Sequence, residues 1–473
     1  MKKYIVGICF SMLFFTSCSD WLNVEPKTTV KEEEVFSREL GFKEALTGAY
    51  IKMASTGLYA RNLSYGFLDV LGGRYNQGKN QSEIAAPFGT NRYYTFAPDP
   101  SSLVESYCES IWSNMYNIIA NLNNLLYYCD KNKSVFTTPD YYEIIKGEAL
   151  GLRAFLHFDL LRMYGPIYKE NPGAKRIAYR TEFTKDAQSM QSSNVVVDSI
   201  IADLKKAEVL LTNTDPLRFD FPITTSEESN MEGDRFLVYR HKRMNLYAVK
   251  AMLARVYLYA GNQELAAKYA NEVIDSDLFE LLSNANDVLR SKEIIFSVYI
   301  DKFDQQVENM MTTTSYIVDN SVFNEIFDVA NDGLNDFRVR EGVSFENTPS
   351  GKRMLKYKQE NVWPSLQNTV VLIRLSEMYY ILAECAETPE EASNFLNSVR
   401  EVRGIDPVSC TSQTVQSEIE KEYRKEFYGE GQVFFYYKRL GRPTFVNCPL
   451  QNLIESNYMF SWPENEILFG YTN

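Results

Sequence analysis

The sequence predicts a mainly α-helical fold, built from tetratricopeptide-like helical hairpin repeats with long loop-rich insertions and a few short strands. The chain has 473 residues, more than most single hydrophobic cores contain, and 45% of them are hydrophobic. In four places, two stretches with apolar residues three or four positions apart follow one another, as in a helical hairpin. We therefore expect one helical body that covers residues 37–473.

The chain begins with the layout of a secretory signal peptide. Lys2 and Lys3 precede a mostly apolar run of about a dozen residues, which is shorter than the ~20 residues of a membrane helix. Small residues and Cys18 follow at once, and this arrangement resembles a bacterial lipoprotein box, in which the new N-terminal cysteine carries acyl chains. We expect residues 1–17 to be removed, Cys18 to be lipidated and residues 18–36 to form a tether. The alternative is a secreted protein with a leftover thiol.

The first two hairpins are interrupted by insertions. The periodicity pairs residues 37–53 with 104–131, and residues 141–164 with 194–211. Residues 104–131 carry one apolar stripe at helical spacing, which contains Trp112, Met115, Ile119, Leu122 and Leu126. We interpret Trp112 as a core residue rather than as part of a binding platform.

The third hairpin has a short turn. In KAMLARVYLYAGNQELAAKYANEVID, small alanines lie where two helices must approach each other closely, and Gly261 with Asn262 marks the turn.

The fourth hairpin carries the clearest end signals. RLSEMYYILAECAE supplies one apolar face, and Thr388, Pro389 and Glu391 predict the N-cap, the first residue and the capping box of the partner helix. Arg400 and Arg403 suit the negative end of that helix.

Two long stretches lack this helical pattern. Residues 54–103 are polar and rich in Gly and Tyr, and residues 276–372 contain one short β-branched run, EIIFSVYI at 293–300, that predicts a strand. We expect both stretches to lie outside the rigid body and to carry the ligand-binding loops, since loops on a rigid scaffold are where ligands usually bind.

Composition excludes several classes of function. The formal net charge of −13 disfavours nucleic acid as a partner, and seven cysteines without a CxxC pair indicate neither a zinc site nor a disulfide framework. Only His157 and His241 are present, which excludes HExxH metal sites. We interpret His157 as packed within an apolar helix and His241 as a surface residue among cations. No metal or cofactor is expected.

Acidic residues leave one class of enzyme open. Glu227 with Glu228 and Glu390 with Glu391 are adjacent, but sequence spacing does not give the separation of carboxylates across a cleft, so a glycoside hydrolase stays an alternative. In DVANDGLND, residues 328–336, apolar residues break the calcium-loop pattern, and a turn is the better interpretation.

A series of blocks follows a specific order along the chain. They are CSDWLNVEP, WSNMYNIIANLNN, GEALGLRAFLHFDLLRMYGPI, LARVYLYAGNQELAAKYANEVI, EIIFSV, RLSEMYYILAEC with ASNFLNSVREVRG, and IEKEYRKEFYGEGQVFFYYKRLG. Together they resemble the SusD/RagB family of outer-membrane nutrient-binding lipoproteins, from Cys18 nearly to the C-terminus. Two blocks depart from the family pattern. The first, FPIPxxE, appears as FSWPENE, which has Ser461 and Trp462 in place of the family's Pro and Ile. In the second, ExRxxEF, the neighbours of Arg424 differ.

The resemblance implies a protein that is lipid-anchored on the outer face of the outer membrane and has four tetratricopeptide-like units. It also implies that the protein caps a TonB-dependent, SusC-like barrel, delivers oligosaccharides or in some members peptides, and does not cleave them. A peptide-binding member of the family, a carboxylate-based hydrolase and a scaffold without a ligand stay alternatives.

The ligand-binding residues have to be proposed from chemistry, because no family motif places them. A sugar ring packs its weakly apolar C–H face on an aromatic plane, and its hydroxyl groups bond amides and cations. The loop residues that combine these groups are Tyr75, Asn76, Gln77, Arg92, Tyr93, Tyr94 and Trp363. The alternative for each is packing of its loop onto the body.

Overall fold

A computed structural model of the chain describes residues 32–76, 103–184, 186–219, 235–312, 316–362 and 366–469. The helices in these ranges are α1 (Glu32–Val35), α2 (Glu39–Met53), α3 (Phe67–Leu71), α4 (Leu103–Lys131), α5 (Tyr141–Tyr164), α6 (Ser193–Leu211), α7 (Leu246–Tyr259), α8 (Gln263–Ile274), α9 (Phe303–Thr312), α10 (Asn320–Ile326), α11 (Val329–Asp332), α12 (Leu375–Cys385), α13 (Pro389–Val402), α14 (Val415–Glu426), α15 (Gln432–Leu440) and α16 (Glu464–Phe469). The strands are β1 (Lys175–Ile177), β2 (Gln191–Ser192), β3 (Ile294–Tyr299), β4 (Ile317–Val318), β5 (Phe345–Thr348), β6 (Gly351–Met354) and β7 (Thr369–Arg374).

Eight of these helices form a continuous array of four hairpins. Helix α2 packs on α4, α5 on α6, α7 on α8, and α12 on α13. Contacts between α4 and α5, α6 and α7, and α8 and α12 join each hairpin to the next. The four hairpins predicted from apolar spacing are therefore confirmed, including the two that longer insertions interrupt.

Helix α5 lies at the centre of the array and is buried on all sides from Gly147 to Tyr164. A helix that is surrounded by protein needs close neighbours and paired charges. A Cβ atom at Gly151 would lie 2.5 Å from Met244 Cγ, so this glycine allows the approach of the segment before α7. The charged side chains of α5 are also paired, as in the Arg153 to Asp203 ion pair of 2.7 Å. No helix in the described ranges is both long and apolar enough to cross a bilayer.

The predicted start of α13 is confirmed, with one difference at the capping box. The Thr388 hydroxyl accepts a hydrogen bond from the Glu391 amide at 3.2 Å, and Pro389 is the first helical residue. The Glu391 carboxylate accepts from the Glu387 amide at 3.1 Å, one residue before the expected donor. The cap therefore satisfies two backbone donors, although the pairing is shifted.

Five of the strands lie in the second irregular stretch, which is more ordered than we expected. The predicted strand at 293–300 is β3, and it pairs antiparallel with β7, with Ser297 opposite Val371 and Val298 opposite Val370. Strands β4, β6 and β5 form a second antiparallel sheet in that order. Sequence reasoning missed β7, whose TVVLIR run is fully buried and runs directly into α12.

The expectation that residues 54–103 lie outside the body is wrong for their first part. Every residue from 62 to 76 is buried. The Asp69 carboxylate accepts hydrogen bonds from the Gly429 and Gly431 amides at 2.6 and 2.8 Å, and Arg74 Nη1 donates to the Arg424 carbonyl at 3.0 Å. These bonds attach the segment to the C-terminal helices, which local sequence pattern does not reveal.

Candidate ligand-binding site

The two stretches that we predicted to carry ligand-binding loops meet at one point of the structure. The Asn76 amide nitrogen donates to the Ile317 carbonyl at 3.0 Å, and its side chain donates to Asp319 Oδ1 at 3.1 Å. In return, the Asp319 backbone amide donates to Asn76 Oδ1 at 2.6 Å. We call the group Tyr75, Asn76, Tyr316, Ile317 and Asp319 the loop junction. It joins an interior point of the first stretch to an interior point of the second.

Aromatic rings form a packed floor under the loop junction. The Tyr75 ring lies edge-on to Tyr316 at 5.3 Å and to Tyr428 at 5.9 Å between ring centroids, and Tyr65 lies 5.6 Å from Tyr316. The Tyr75 hydroxyl donates to the Tyr65 carbonyl at 2.7 Å. Edge-to-face packing of this kind adds to the stability of the buried area. The loop junction is therefore held on a fixed base.

The structure places two of the predicted ligand-binding residues inside this floor. Tyr75 is 1% exposed and Asn76 is 8% exposed, and the polar groups of both are hydrogen-bonded within the protein. Their burial favours the alternative interpretation, in which the loop packs onto the body. A ligand-binding role for either residue stays a prediction. Gln77, Arg92, Tyr93, Tyr94 and Trp363 lie outside the described residues, as does Cys18.

Asp69 stands directly behind the floor and links it to the C-terminal helices. Burial raises the pKa of its carboxyl group to about 7, although Arg74 and the two glycine amides favour the charged form. The Gly429 and Gly431 backbones have positive φ angles of 83° and 70°, which direct both amides at this carboxylate. Asp69 is therefore occupied in holding the chain rather than free to act on a ligand.

An ion-pair cluster lies between the last hairpin and α14, and it contains most of the charged residues of the EYRKEF block. It contains six basic and six acidic side chains, so its formal charges balance. The basic members are Arg338, Lys356, Arg374, Arg400, Arg403 and Lys425, and the acidic members are Glu293, Asp332, Asp336, Glu422, Glu426 and Glu430. Arg400 and Arg403, which we expected to act on the helix dipole, are buried members of this cluster.

Glu426, which pairs with three arginines of the cluster, is held in its charged form. Burial alone would raise the pKa of Glu426, but the guanidinium groups of Arg403, Arg374 and Arg338 keep that pKa well below its usual range. The distances from Glu426 oxygens to nitrogens of Arg374 and Arg403 are 2.5 and 2.6 Å. A general acid needs a raised pKa, so this arrangement suits a scaffold and not acid catalysis.

The two histidines are both buried, which confirms one interpretation and contradicts the other. His157 Nε2 accepts a hydrogen bond from the Arg180 amide at 3.0 Å, and Nδ1 lies 2.9 Å from the Arg153 carbonyl. His241 was expected at the surface but is buried beneath β3, and neither of its ring nitrogens has a hydrogen-bond partner among the described residues. Burial lowers the pKa of each histidine to about 3.

A depression beside α2, which sequence reasoning did not identify, combines aromatic rings with cations. We call it the α2 groove; it has a volume of about 1020 Å³, and its walls include Tyr50, Phe236, Lys242, Arg243 and Tyr299. The Arg243 guanidinium lies 4.2 Å from the Phe236 ring centroid, and Lys242 Nζ lies 5.5 Å from that of Tyr299. The only sequence signal was the mixture of aromatic and basic residues in VYRHKRMN.

The structure shows no metal site within the described ranges. Within them, no group of three or more His, Cys, Asp and Glu side chains is arranged to hold a metal ion. The five cysteines in these ranges are all free thiols.

Two family profiles match the chain. One, described as starch-binding and associating with the outer membrane, matches residues 20–219, and the profile of the SusD family matches residues 343–458. The chain is 22% identical to SusD-like protein P38 of Formosa agariphila over 98% of this chain and 96% of that protein. It is 20% identical to a SusD-like protein of Bacteroides ovatus over 62% of this chain and 48% of that protein.

Solved structures share the fold along most of the chain. A SusD superfamily protein from Bacteroides thetaiotaomicron superimposes with a TM-score of 0.68 at 22% identity, covering 92% of this chain and 98% of that one. A SusD-like carbohydrate-binding protein from Bacteroides vulgatus gives 0.67 at 19% identity, covering 91% and 96%. A laminarin-binding SusD-like protein gives 0.63 at 19% identity, covering 92% and 98%.

Proposed function

Because this chain belongs to the SusD/RagB family, we propose that it is a cell-surface lipoprotein that binds a nutrient glycan and delivers it to a TonB-dependent, SusC-like transporter of the outer membrane. The proposal is supported chiefly by the match of two SusD-type profiles over about two thirds of the chain, on a fold shared with SusD superfamily structures. The protein binds its ligand without cleaving it.

The proposed chain organisation follows from the N-terminal sequence. Residues 1–17 are the signal peptide, Cys18 carries the lipid, residues 18–36 form the tether, and residues 37–473 form the body. Two or three acyl chains, each stabilised by about 0.8 kcal/mol for every buried CH₂ group, hold such a body at the outer membrane.

The proposed glycan site lies on the face of the loop junction. Gln77, Arg92, Tyr93, Tyr94 and Trp363 supply the rings and donors that a sugar needs. The junction supports this choice because Asn76 joins the first stretch to Ile317 and Asp319 of the second. Residues from both stretches can then contact one ligand.

A glucan is the first ligand class to test. One matching family is described as starch-binding, and one structural neighbour is a laminarin-binding protein. Starch is an α-glucan and laminarin a β-glucan, so the two probes also separate ligands of different backbone shape.

The test measures binding of maltohexaose and laminarihexaose to the detergent-solubilised, lipidated protein by isothermal titration calorimetry. We expect one of the two to bind. The double substitution Tyr93→Ala and Tyr94→Ala, or Trp363→Ala alone, should weaken binding by about fivefold or more, because each substitution removes a stacking ring worth ~1 kcal/mol or more.

Tyr299→Ala is the matched control, since it removes an exposed tyrosine of the α2 groove. A loss confined to this variant would move the site to the α2 groove. Binding of peptides but of neither hexasaccharide would favour the peptide-binding alternative. Release of new reducing ends from starch or laminarin by the purified protein would favour the hydrolase.

A further inference from the structure

A groove on the second hairpin has features that the proposed function does not use. It has a volume of about 880 Å³ and lies among α4, α5, α6 and the segment that follows β1. We call it the α4 groove and define it by Asn124, Tyr127, Leu150, Glu182, Phe183 and Lys206, which all line it. None of these residues belongs to the loop junction or to the α2 groove.

Two aromatic rings stand exposed at this groove. Tyr127 is 57% exposed and Phe183 is 50% exposed. The Tyr127 ring packs edge-on against Tyr128 at 5.1 Å, which fixes its position on α4. Phe183 makes no ring or cation contact with other side chains in the described part of the chain. A half-exposed phenylalanine without an aromatic neighbour loses little by receiving a ligand and gains apolar contact.

The floor of the groove contains an amide that is open to solvent. Asn124 is only 9% exposed, yet its side chain has no hydrogen-bond partner in the described ranges. Its neighbour Asn123 shows the usual behaviour: it donates to the Arg180 and Glu182 carbonyls at 3.1 and 3.3 Å and accepts from Arg153 at 2.8 Å. Neither polar atom of the Asn124 side chain is fully enclosed, so the amide faces solvent within the groove. The hydroxyl groups of a ligand in the groove can bond this amide in place of water.

Beneath these residues the groove is rigid. Arg153 makes two hydrogen bonds to the Asp203 carboxylate at 2.7 and 2.9 Å, and the Tyr179 hydroxyl donates to the same carboxylate at 2.5 Å. All three side chains are buried. Rings and amides that are held by such a network are already in position for a ligand, which reduces the entropy lost on binding.

The charges around the groove do not favour an ionic ligand. Lys146 pairs with Asp130 at 2.5 Å, and Arg153 pairs with Asp203. Of the other charged groups that line the groove, Lys206 is basic, whereas Glu32 and Glu182 are acidic. A ligand that is recognised here therefore binds through apolar surface and neutral hydrogen bonds.

We propose that the α4 groove is a second saccharide-binding subsite, which takes a neutral pyranose unit. The C–H face of the sugar packs on Phe183 or Tyr127, and its hydroxyl groups donate to and accept from the Asn124 amide. This inference rests on the proposed function, because it assumes that the chain binds glycans. It adds a site on the helical body that is separate from the loop junction, so that one glycan strand or two can be held at once.

The test uses the lipidated full-length protein in detergent and the same probes, maltohexaose and laminarihexaose. In the Tyr93→Ala and Tyr94→Ala background, which lowers binding at the loops, we expect a weaker site to remain. Adding Phe183→Ala or Tyr127→Ala should reduce that remaining affinity by about tenfold.

Asn124→Leu separates a binding role from a structural one. The substitution removes an amide that has no hydrogen-bond partner among the described residues, so it should leave the melting temperature nearly unchanged. If Asn124 bonds a sugar, the same variant should bind the hexasaccharide more weakly at the second subsite. Weaker binding together with an undiminished melting temperature is the expected pair of results.

The experiment distinguishes failure of the proposed glycan function from failure of the second subsite. If the wild-type protein binds neither hexasaccharide, the glycan function fails, and the second subsite fails with it. If the wild type binds one of them with a single site that Phe183→Ala, Tyr127→Ala and Asn124→Leu change by less than twofold, the function stands and the second subsite is wrong. A loss of melting temperature in Asn124→Leu would also overturn the inference, since it would show that the amide already has a structural partner.

Discussion

The two histidines differ in the hydrogen bonds that accompany their burial. His157 is bonded on both ring nitrogens and stacks on the Tyr179 ring with a centroid distance of 4.0 Å. His241 is equally buried, but in the part of the chain that the structure describes neither of its nitrogens has a partner. Because an unpaired buried polar group costs stability and a paired one contributes to it, the two residues should respond in opposite ways to the same substitution.

We predict that His157→Leu lowers the free energy of unfolding by about 2 kcal/mol, since it leaves the Arg180 amide and the Arg153 carbonyl without partners. His241→Leu should change it by less than about 0.5 kcal/mol or raise it, because it removes only unsatisfied groups. Urea unfolding at pH 7.5 measures both. Equal destabilisation by the two substitutions would contradict the prediction.

The histidines also predict a pH dependence. The pKa of each is lowered to about 3 in the folded protein, so the unfolded chain binds more protons between pH ~6.5 and 3. The contribution of the two histidines to the free energy of unfolding is complete above pH ~6.5. It is lost as the pH falls, by up to ~1.4 kcal/mol per pH unit for each residue. Asp69, with its pKa raised to about 7, acts in the opposite direction: its contribution to the free energy of unfolding is lost as the pH rises from ~4 to 7.

The comparison of His241→Leu with wild type isolates the histidine effect from that of Asp69. We expect the loss of stability between pH 6.5 and 5 to be smaller in the variant, by about 1 kcal/mol per pH unit. Melting temperatures at half-unit pH steps provide the measurement. Parallel pH profiles of variant and wild type would show that His241 becomes protonated without unfolding.

At the scale of single residues, the sequence predicted the burial of side chains in long apolar helices. It did not predict the burial of side chains in turns and loops that distant segments cover. His157 and Trp112 lie in long apolar stripes, and both were correctly assigned to the core. His241 lies among cations in VYRHKRMN, and its burial depends on β3, a strand more than 50 residues away in the chain. Tyr75 is buried for the same reason, because it packs on Tyr316 and Tyr428. Local composition carries no information about such distant partners.

At the scale of elements, α14 has a role that its sequence does not suggest. It presents Glu422 and Glu426 to arginines from the segment before β5, from β7 and from α13. A buried charge that loses its partner is expensive, so the helix should be sensitive to a neutral replacement at these positions.

We predict that Glu426→Gln lowers the free energy of unfolding by about 3 kcal/mol or more, because it leaves Arg374 and Arg403 incompletely paired within the protein. Glu401→Gln, on the exposed surface of α13, is the matched control and should be nearly neutral. Chemical unfolding of both variants at pH 7 tests this. A cost below about 1 kcal/mol for Glu426→Gln would show that the arginines find other partners.

The elements themselves could largely be predicted, since apolar spacing is a local property. All four hairpins, the N-cap at Thr388 and strand β3 were expected where they occur. Strand β7 was missed because a short apolar run that leads into a helix is easily read as the start of that helix. The buried segment from 62 to 76 was misjudged because its polar residues bond to the C-terminal helices.

At the scale of the whole molecule, the proposed anchor can be tested without knowing the ligand. Cys18→Ser should prevent acylation, so the exported protein should appear in the soluble fraction instead of the membrane fraction. Cell fractionation and mass spectrometry of the mature N-terminus check this. An unmodified N-terminus in the wild type, or membrane retention of the variant, would contradict the proposed lipoprotein.

The architecture could be predicted as a whole, but the ligand site could not. Helical repeats can be recognised from the regular spacing of their apolar residues, and the order of the blocks indicated the family. A binding site depends on which side chains meet in space, as Asn76 and Asp319 do across 243 positions of the chain. Neither the α2 groove nor the α4 groove has a motif, because each is lined by residues from several separate segments.

The ion-pair cluster has a consequence for biogenesis. Its arginines at positions 338, 374, 400 and 403 precede their main partners, Glu422 and Glu426, in the order of synthesis. A nascent chain that has not yet delivered α14 cannot bury these guanidinium groups without a large free-energy cost. We therefore expect the last hairpin to close only after α14, which ends at Glu426, has emerged and can pair with it.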